Sequence, residues 1–116
     1  MRLYNVTKQR EVGPIRRAGN FFSRLKGLLG SCPEREKDGL WLVPCNAVHT
    51  VGMCRPVDLI FLAPDLKALR VVQKVKPLTP AVGCPGAHSV VEFFSGQWDP
   101  LSVSEKDQLE FQNKSS

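Results

Sequence analysis

Hydrophobic residues fall along this chain in short runs broken by Pro, Gly and charged positions, a pattern that predicts strands joined by turns. The clearest run is residues 57–62, VDLIFL, apolar except for Asp58. Residues 2–7, RLYNVT, put Leu3, Asn5 and Thr7 on one face and Tyr4 and Val6 on the other, as a short edge strand would. Residues 40–43, LWLV, form a strand stopped by Pro44. In residues 68–76, Leu69, Val71 and Val75 alternate with Arg70, Val72, Lys74 and Lys76. This strand and that of residues 57–62 flank a turn at 63–66 with Pro64 in the position a type I turn favours, so the two predict a hairpin with one face buried and one wet. Residues 88–94 give a further strand, and residues 108–111 a last short one. Residues 12–15, VGPI, are extended or turning, because Pro14 removes a donor and biases Gly13 away from helix. Residues 77–87, with Pro77, Pro80, Pro85, Gly83 and Gly86, read as loop.

One stretch has the helical period instead. In residues 20–29, Asn20 is a competent N-cap, Phe21, Phe22, Leu25, Leu28 and Leu29 make one apolar stripe, and Gly30 is placed to end the helix. With only one helix, the connections favour hairpins over β-α-β crossovers. The expected class is α+β, mostly β: a small antiparallel barrel or sandwich with one amphipathic helix packed on it. Residues 1–112 read as a single globular domain and 113–116 as a disordered tail.

Charge adds an asymmetry. The formal net charge is +5, with seven basic residues and one acid in residues 1–26 against four acids and two lysines in residues 99–116. No basic run is interleaved with aromatics, so a nucleic-acid partner is not expected. No apolar run reaches signal-peptide or membrane-spanning length, which makes the cytoplasm the expected location. Cys32, Cys45, Cys54 and Cys84 are then expected as thiols rather than disulfides.

The order of motifs resembles a known family. A segment of the form arg-x-x-gly-leu, here Arg24-Leu25-Lys26-Gly27-Leu28-Leu29, precedes a strand that brings in an aromatic. His49-Thr50-Val51-Gly52-Met53 follows, then Pro56-Val57-Asp58 and the apolar strand Leu59-Ile60-Phe61-Leu62. This arrangement, over roughly residues 15–111, is similar to the domain of unknown function 192 (UPF0127), a family of small prokaryotic proteins. The resemblance implies a compact, mainly β fold with a helix at one side and implies no activity. Cys54 stands where the family more commonly has a basic residue.

The candidate chemistry centres on residues 45–62. Asp58 lies in an apolar strand, where a carboxylate costs desolvation unless a donor meets it. His49 or Arg24 could be that donor. If Asp58 orients His49, the other ring nitrogen is left to hold a ligand or move a proton. The simpler alternative has Asp58 accept backbone amides of the Thr50 to Met53 turn and pin it. The candidate ligand-binding set is His49, Thr50, Met53 and Asp58, with Trp41 and Arg24 nearby, for a small polar ligand or a protein partner. An enzyme with His49 as general base and Asp58 as its orienting group is the second reading, although no nucleophile elbow, P-loop or dinucleotide fingerprint accompanies it. A third is a zinc site from Cys45, His49, Cys84 and His88, two Cys-x-x-x-His pairs of equal spacing. Extended chain holds such pairs roughly 13 Å apart, so the loops would have to curl to reach one ion. No organic cofactor is expected.

Overall fold

The computed structural model describes residues 1–17, 38–49 and 55–113. Among them run nine strands: β1 (Arg2–Asn5), β2 (Arg10–Arg17), β3 (Gly39–Leu42), β4 (Ala47–Val48), β5 (Val57–Leu62), β6 (Ala68–Val75), β7 (Val82–Gly83), β8 (Ser89–Phe94) and β9 (Leu109–Gln112). Seven form one sheet in the order β6-β5-β8-β3-β2-β1-β9, while β4 and β7 pair in a small ribbon. The amphipathic helix expected over residues 20–29 lies outside the described residues, as do Arg24, Thr50 and Met53. No helix among the described residues is long and apolar enough to cross a membrane.

The sheet curls into a half-barrel whose two edge strands meet at one corner. Lys67 and Gln108 form a bridge there. Around it the Ala68 amide donates to the Asp107 carbonyl (2.8 Å), the Lys106 amide to the Ala68 carbonyl (2.7 Å) and the Leu109 amide to the Leu66 carbonyl (3.1 Å). Of the two expected architectures, the barrel-like one is therefore the one adopted. Every neighbouring pair in the sheet is antiparallel except β2 and β3, which run parallel through Ile15↔Gly39 to Arg17↔Trp41. A parallel pair needs a crossover, so the connection from β2 to β3 is not one of the hairpins expected to predominate.

Pro14 sits inside β2, within the segment expected to be extended or turning. Pairing with β1 slips between Leu3↔Gly13 and Tyr4↔Glu11, leaving Val12 as the extra residue of a bulge, and the neighbouring Ile15 amide donates to the Met1 carbonyl (2.9 Å). The ladder there tolerates the amide that Pro14 lacks. Residues 63–66 form the predicted turn, with the Leu66 amide donating to the Ala63 carbonyl (2.8 Å).

The central strands β5 and β8 are buried at every position. Alternation along a strand sends successive side chains to opposite faces, and here both faces are covered. Ile60, Leu62, Val91 and Phe93 point into the curl with Leu3, Ile15 and Leu109. Val57, Leu59, Phe61, Val90 and Phe94 point outward, into a second cluster with Leu42, Val48 and Val75. The β4–β7 ribbon lies over that outer cluster: Val48 is in it, and Val82, Cys45 and Cys84 pack against it. Each large apolar side chain so buried contributes about 1.5–3 kcal/mol.

The hairpin of β5 and β6 thus has its wet face on β6 alone, which corrects the expectation for β5. Within β6 the simple alternation also fails. Register shifts on either side of the β5–β6 pairing reset the face, so Ala68 and Val71 join the inner cluster, Val72 and Val75 the outer one, and Leu69 is exposed. The stretch read as loop at residues 77–87 contains β7, because the covering ribbon needs a second strand.

Candidate functional site

Asp58 points into the curl, on the same face of β5 as Ile60 and Leu62, and is 3% exposed. Its carboxylate meets three donors. Oδ1 accepts from the Lys74 amide (2.8 Å) and the Ser95 hydroxyl (2.7 Å), and Oδ2 accepts from the Trp98 indole Nε1 (2.6 Å).

Local backbone geometry brings each donor there. Val57 pairs with Val75 and Leu59 with Val72, so Asp58 faces two residues of β6 rather than one. In this bulge Lys74 takes a left-handed conformation (φ 55°), and its amide turns from the ladder to the carboxylate. Ser95 and Trp98 come from the turn after β8. The Gln97 amide donates to the Phe94 carbonyl (2.9 Å), Gly96 supplies a φ of 90°, and the Gln97 side-chain oxygen accepts from the Phe94 amide (3.1 Å). Trp98 is buried and stacks on Phe93 with ring centroids 5.5 Å apart. Asp58 therefore ties β5, the β6 bulge and the 94–98 turn together. A buried carboxylate with three donors is one whose desolvation is offset.

His49 follows β4 and is exposed. It ends the ribbon that covers the outer cluster, whereas Asp58 points into the curl, and it is not among the donors to Asp58. Among the described residues the donors to Asp58 are the Lys74 amide, the Ser95 hydroxyl and the Trp98 indole, and the amides of residues 50–53 lie outside the described residues. Thr50, Met53 and Arg24 lie outside the described residues.

Trp41 shares the inner face with Asp58, with β8 between their strands. It is half-buried and lies against Phe111 with centroids 4.1 Å apart, although β3 and β9 are far apart in strand order; the curl brings them together. The Arg17 guanidinium stands 5.7 Å from the Trp41 ring centroid, a cation–π distance. The Trp41 indole Nε1 is buried, and among the described residues it has no hydrogen-bond partner.

The residues of the zinc alternative are partly collected. Cys45 and Cys84 pack on the same cluster, and the Cys45 amide donates to the His88 carbonyl (2.9 Å), while His49 and His88 are exposed. Among the described residues no three His, Cys, Asp or Glu side chains are grouped so as to hold a metal ion.

Two buried polar centres escaped the reading of the sequence. Ser95 and Trp98 are one. Their only signal was the unmet carboxylate of Asp58, and nothing in the chain pairs positions so far apart. The other joins Asn5 to Asp107. The Asn5 Nδ2 donates to the Ser102 carbonyl and to Asp107 Oδ2, both at 2.8 Å, and the Ser104 amide and the Lys8 ammonium reach the same oxygen, again at 2.8 Å. Burial opposes the Asp107 charge, but the hydrogen bonds from Lys8, Asn5 and the Ser104 amide outweigh it and hold the carboxyl below the ordinary carboxylate range.

The curled sheet, its covering ribbon and the Asp58 hub define a small β half-barrel domain. The sequence matches the model of the DUF192 family, described as an uncharacterized ACR, over residues 4–111, and the chain belongs to that family. No curated protein matches it. Two solved structures share the fold. A protein of unknown function from Novosphingobium aromaticivorans is 18% identical, with 95% of this chain and 82% of that chain covered and a TM-score of 0.73. A proposed transcription regulator from Sinorhizobium meliloti is 20% identical, with 94% of this chain and 89% of that chain covered and a TM-score of 0.74.

Proposed function

We propose that this domain is a binding module that takes a small polar ligand or a partner's loop through the segment of His49, Thr50 and Met53, with Trp41 and Arg24 at its margin and Asp58 as the buried anchor of the scaffold. The observation that supports the reading is how Asp58 is used. Its oxygens accept from Lys74, Ser95 and Trp98, and His49 is not among these donors, which favours a scaffold role for Asp58 over that of orienting His49. A histidine acting as general base gains from such a partner, so the enzyme alternative loses its main support. An exposed His49 at the end of a ribbon anchored by Val48 is suited to donate to or accept from a ligand while the core stays fixed.

The test is a two-dimensional amide NMR titration of the full chain with a panel of small carboxylates, amino acids and sugars. The expected result is saturable shifts in residues 47–58 and at the Trp41 indole, abolished by His49→Ala. Saturable shifts confined to another surface would overturn this placement, and turnover of a panel member that depends on His49 would restore the enzyme reading.

A further inference from the structure

Cys45 and Cys84 lie far apart in the chain, and the covering ribbon brings their backbones to within one step of the same ladder. The ladder of Ala47↔Gly83 and Val48↔Val82 continues one step, with the Cys84 amide donating to the Asn46 carbonyl at 3.0 Å. Cys45 is the next residue. Its own amide is held by the His88 carbonyl at 2.9 Å, at the far side of the turn in which the Ala87 amide donates to the Cys84 carbonyl at 3.1 Å. The backbone of Cys45 is thereby fixed against the His88 end of the Cys84 turn, and that of its neighbour Asn46 against the Cys84 end.

In a regular ladder, residues one step out of register point to opposite faces. Here the ladder ends at this step, and both cysteine side chains pack against the same outer cluster. A hydrogen-bonded antiparallel pair has Cα atoms about 5.5 Å apart, within the range a disulfide spans, and Cys45 adjoins such a pair. Both residues are partly exposed and both are thiols, so a small reagent can reach them. The Cys45 Sγ lies 3.1 Å from the Ala47 carbonyl oxygen and the Cys84 Sγ 3.7 Å from that of Pro85.

We infer that Cys45 and Cys84 form a redox pair that closes reversibly to an intramolecular disulfide by exchange with a low-molecular-weight disulfide such as oxidised glutathione. One cysteine thiolate attacks a glutathione sulfur, a protein–glutathione mixed disulfide forms, and one glutathione thiolate leaves. The other cysteine thiolate then attacks the protein sulfur of the mixed disulfide and expels the second glutathione. The two protein thiol protons end on the two glutathione thiols, so two cysteines are oxidised and one small disulfide is reduced. The cross-link fixes the base of the ribbon that ends at His49. An effect on ligand binding would rest on the function proposed above, but the cross-link itself does not.

The experiment treats the native full chain with oxidised glutathione, blocks remaining thiols by alkylation, and maps disulfides by proteolysis and mass spectrometry, in wild type and in a Cys32→Ser/Cys54→Ser variant. The expected result in both is a Cys45–Cys84 peptide pair, loss of both residues to alkylation, and recovery of both after reduction. Amide NMR of the oxidised wild type is expected to show shifts centred on β4 and β7 with the remaining dispersion retained. Stable glutathione adducts on Cys45 or Cys84 without ring closure would overturn the inference. So would cross-links to Cys32 or Cys54 in their place, or a pair that forms only in urea.

Discussion

Replacing Asp58 by Asn tests the hub with almost no change in shape. The amide offers one acceptor oxygen where the carboxylate offered two. If that oxygen stays with the Lys74 amide and Ser95 hydroxyl, the new NH2 faces the Trp98 indole N–H, donor against donor. If the amide flips, the NH2 faces the Lys74 amide instead. Either way one buried N–H loses its acceptor, at about 1–3 kcal/mol. The bonds that survive lose their charge assistance, roughly another 1 kcal/mol, while the easier burial of a neutral group offsets part of the total. The expected loss is about 2–3 kcal/mol, a large share of the roughly 5–15 kcal/mol that holds a domain folded. At about 4 °C per kcal/mol for a chain of this size, the melting temperature falls by about 10 °C. Urea unfolding followed by circular dichroism reads the free energy directly. Trp98→Phe completes a double-mutant cycle: it removes the donor that the new side-chain amide would oppose, so the double variant should be less destabilised than the sum of the singles by about 1–2 kcal/mol. A loss below about 0.5 kcal/mol for Asp58→Asn, or additivity within that margin, would refute the view of Asp58 as a fully bonded buried hub.

Three further outcomes follow from the same geometry. Gly39→Ala would place a Cβ 2.5 Å from the Phe93 Cε1, so it should cost about 1–3 kcal/mol, with partial recovery when combined with Phe93→Leu; no loss in urea unfolding would mean that the β3–β8 contact yields easily. The Asp107 carboxyl is held below its ordinary value, so its contribution is complete above the unfolded value near about 3.9 and is lost as pH falls through the lower folded value. Urea midpoints taken from about pH 6 down to about pH 2 should therefore fall less steeply in Asp107→Asn, which starts lower at neutral pH; parallel curves for the two proteins would contradict this. His49→Ala, at an exposed position, should leave stability within about 0.5 kcal/mol while removing ligand-induced NMR shifts, and a larger loss would assign His49 a structural role.

The chain by itself determined where most of its longer strands lie, because burial writes itself into local pattern. VDLIFL predicts β5 over its whole length, and the runs at residues 40–43, 68–76, 88–94 and 108–111 each mark a strand within a residue or two of its bounds. It also pointed to Asp58 as a carboxylate that must be met by donors. What it could not determine is which donors meet it. The Lys74 amide becomes available only because a bulge turns it out of the ladder, and Trp98 arrives through a turn whose partner strand is distant in sequence. The two faces of β5 likewise depend on the curl of the sheet and on a ribbon of two-residue strands, too short to leave a periodic signal. Alternation reports that a face is buried and never by what. The parallel β2–β3 pair, the closure of β6 on β9 and the pairing of β4 with β7 are all contacts between segments far apart in the chain. Only the tertiary structure decides those, because no local preference of either segment encodes its partner.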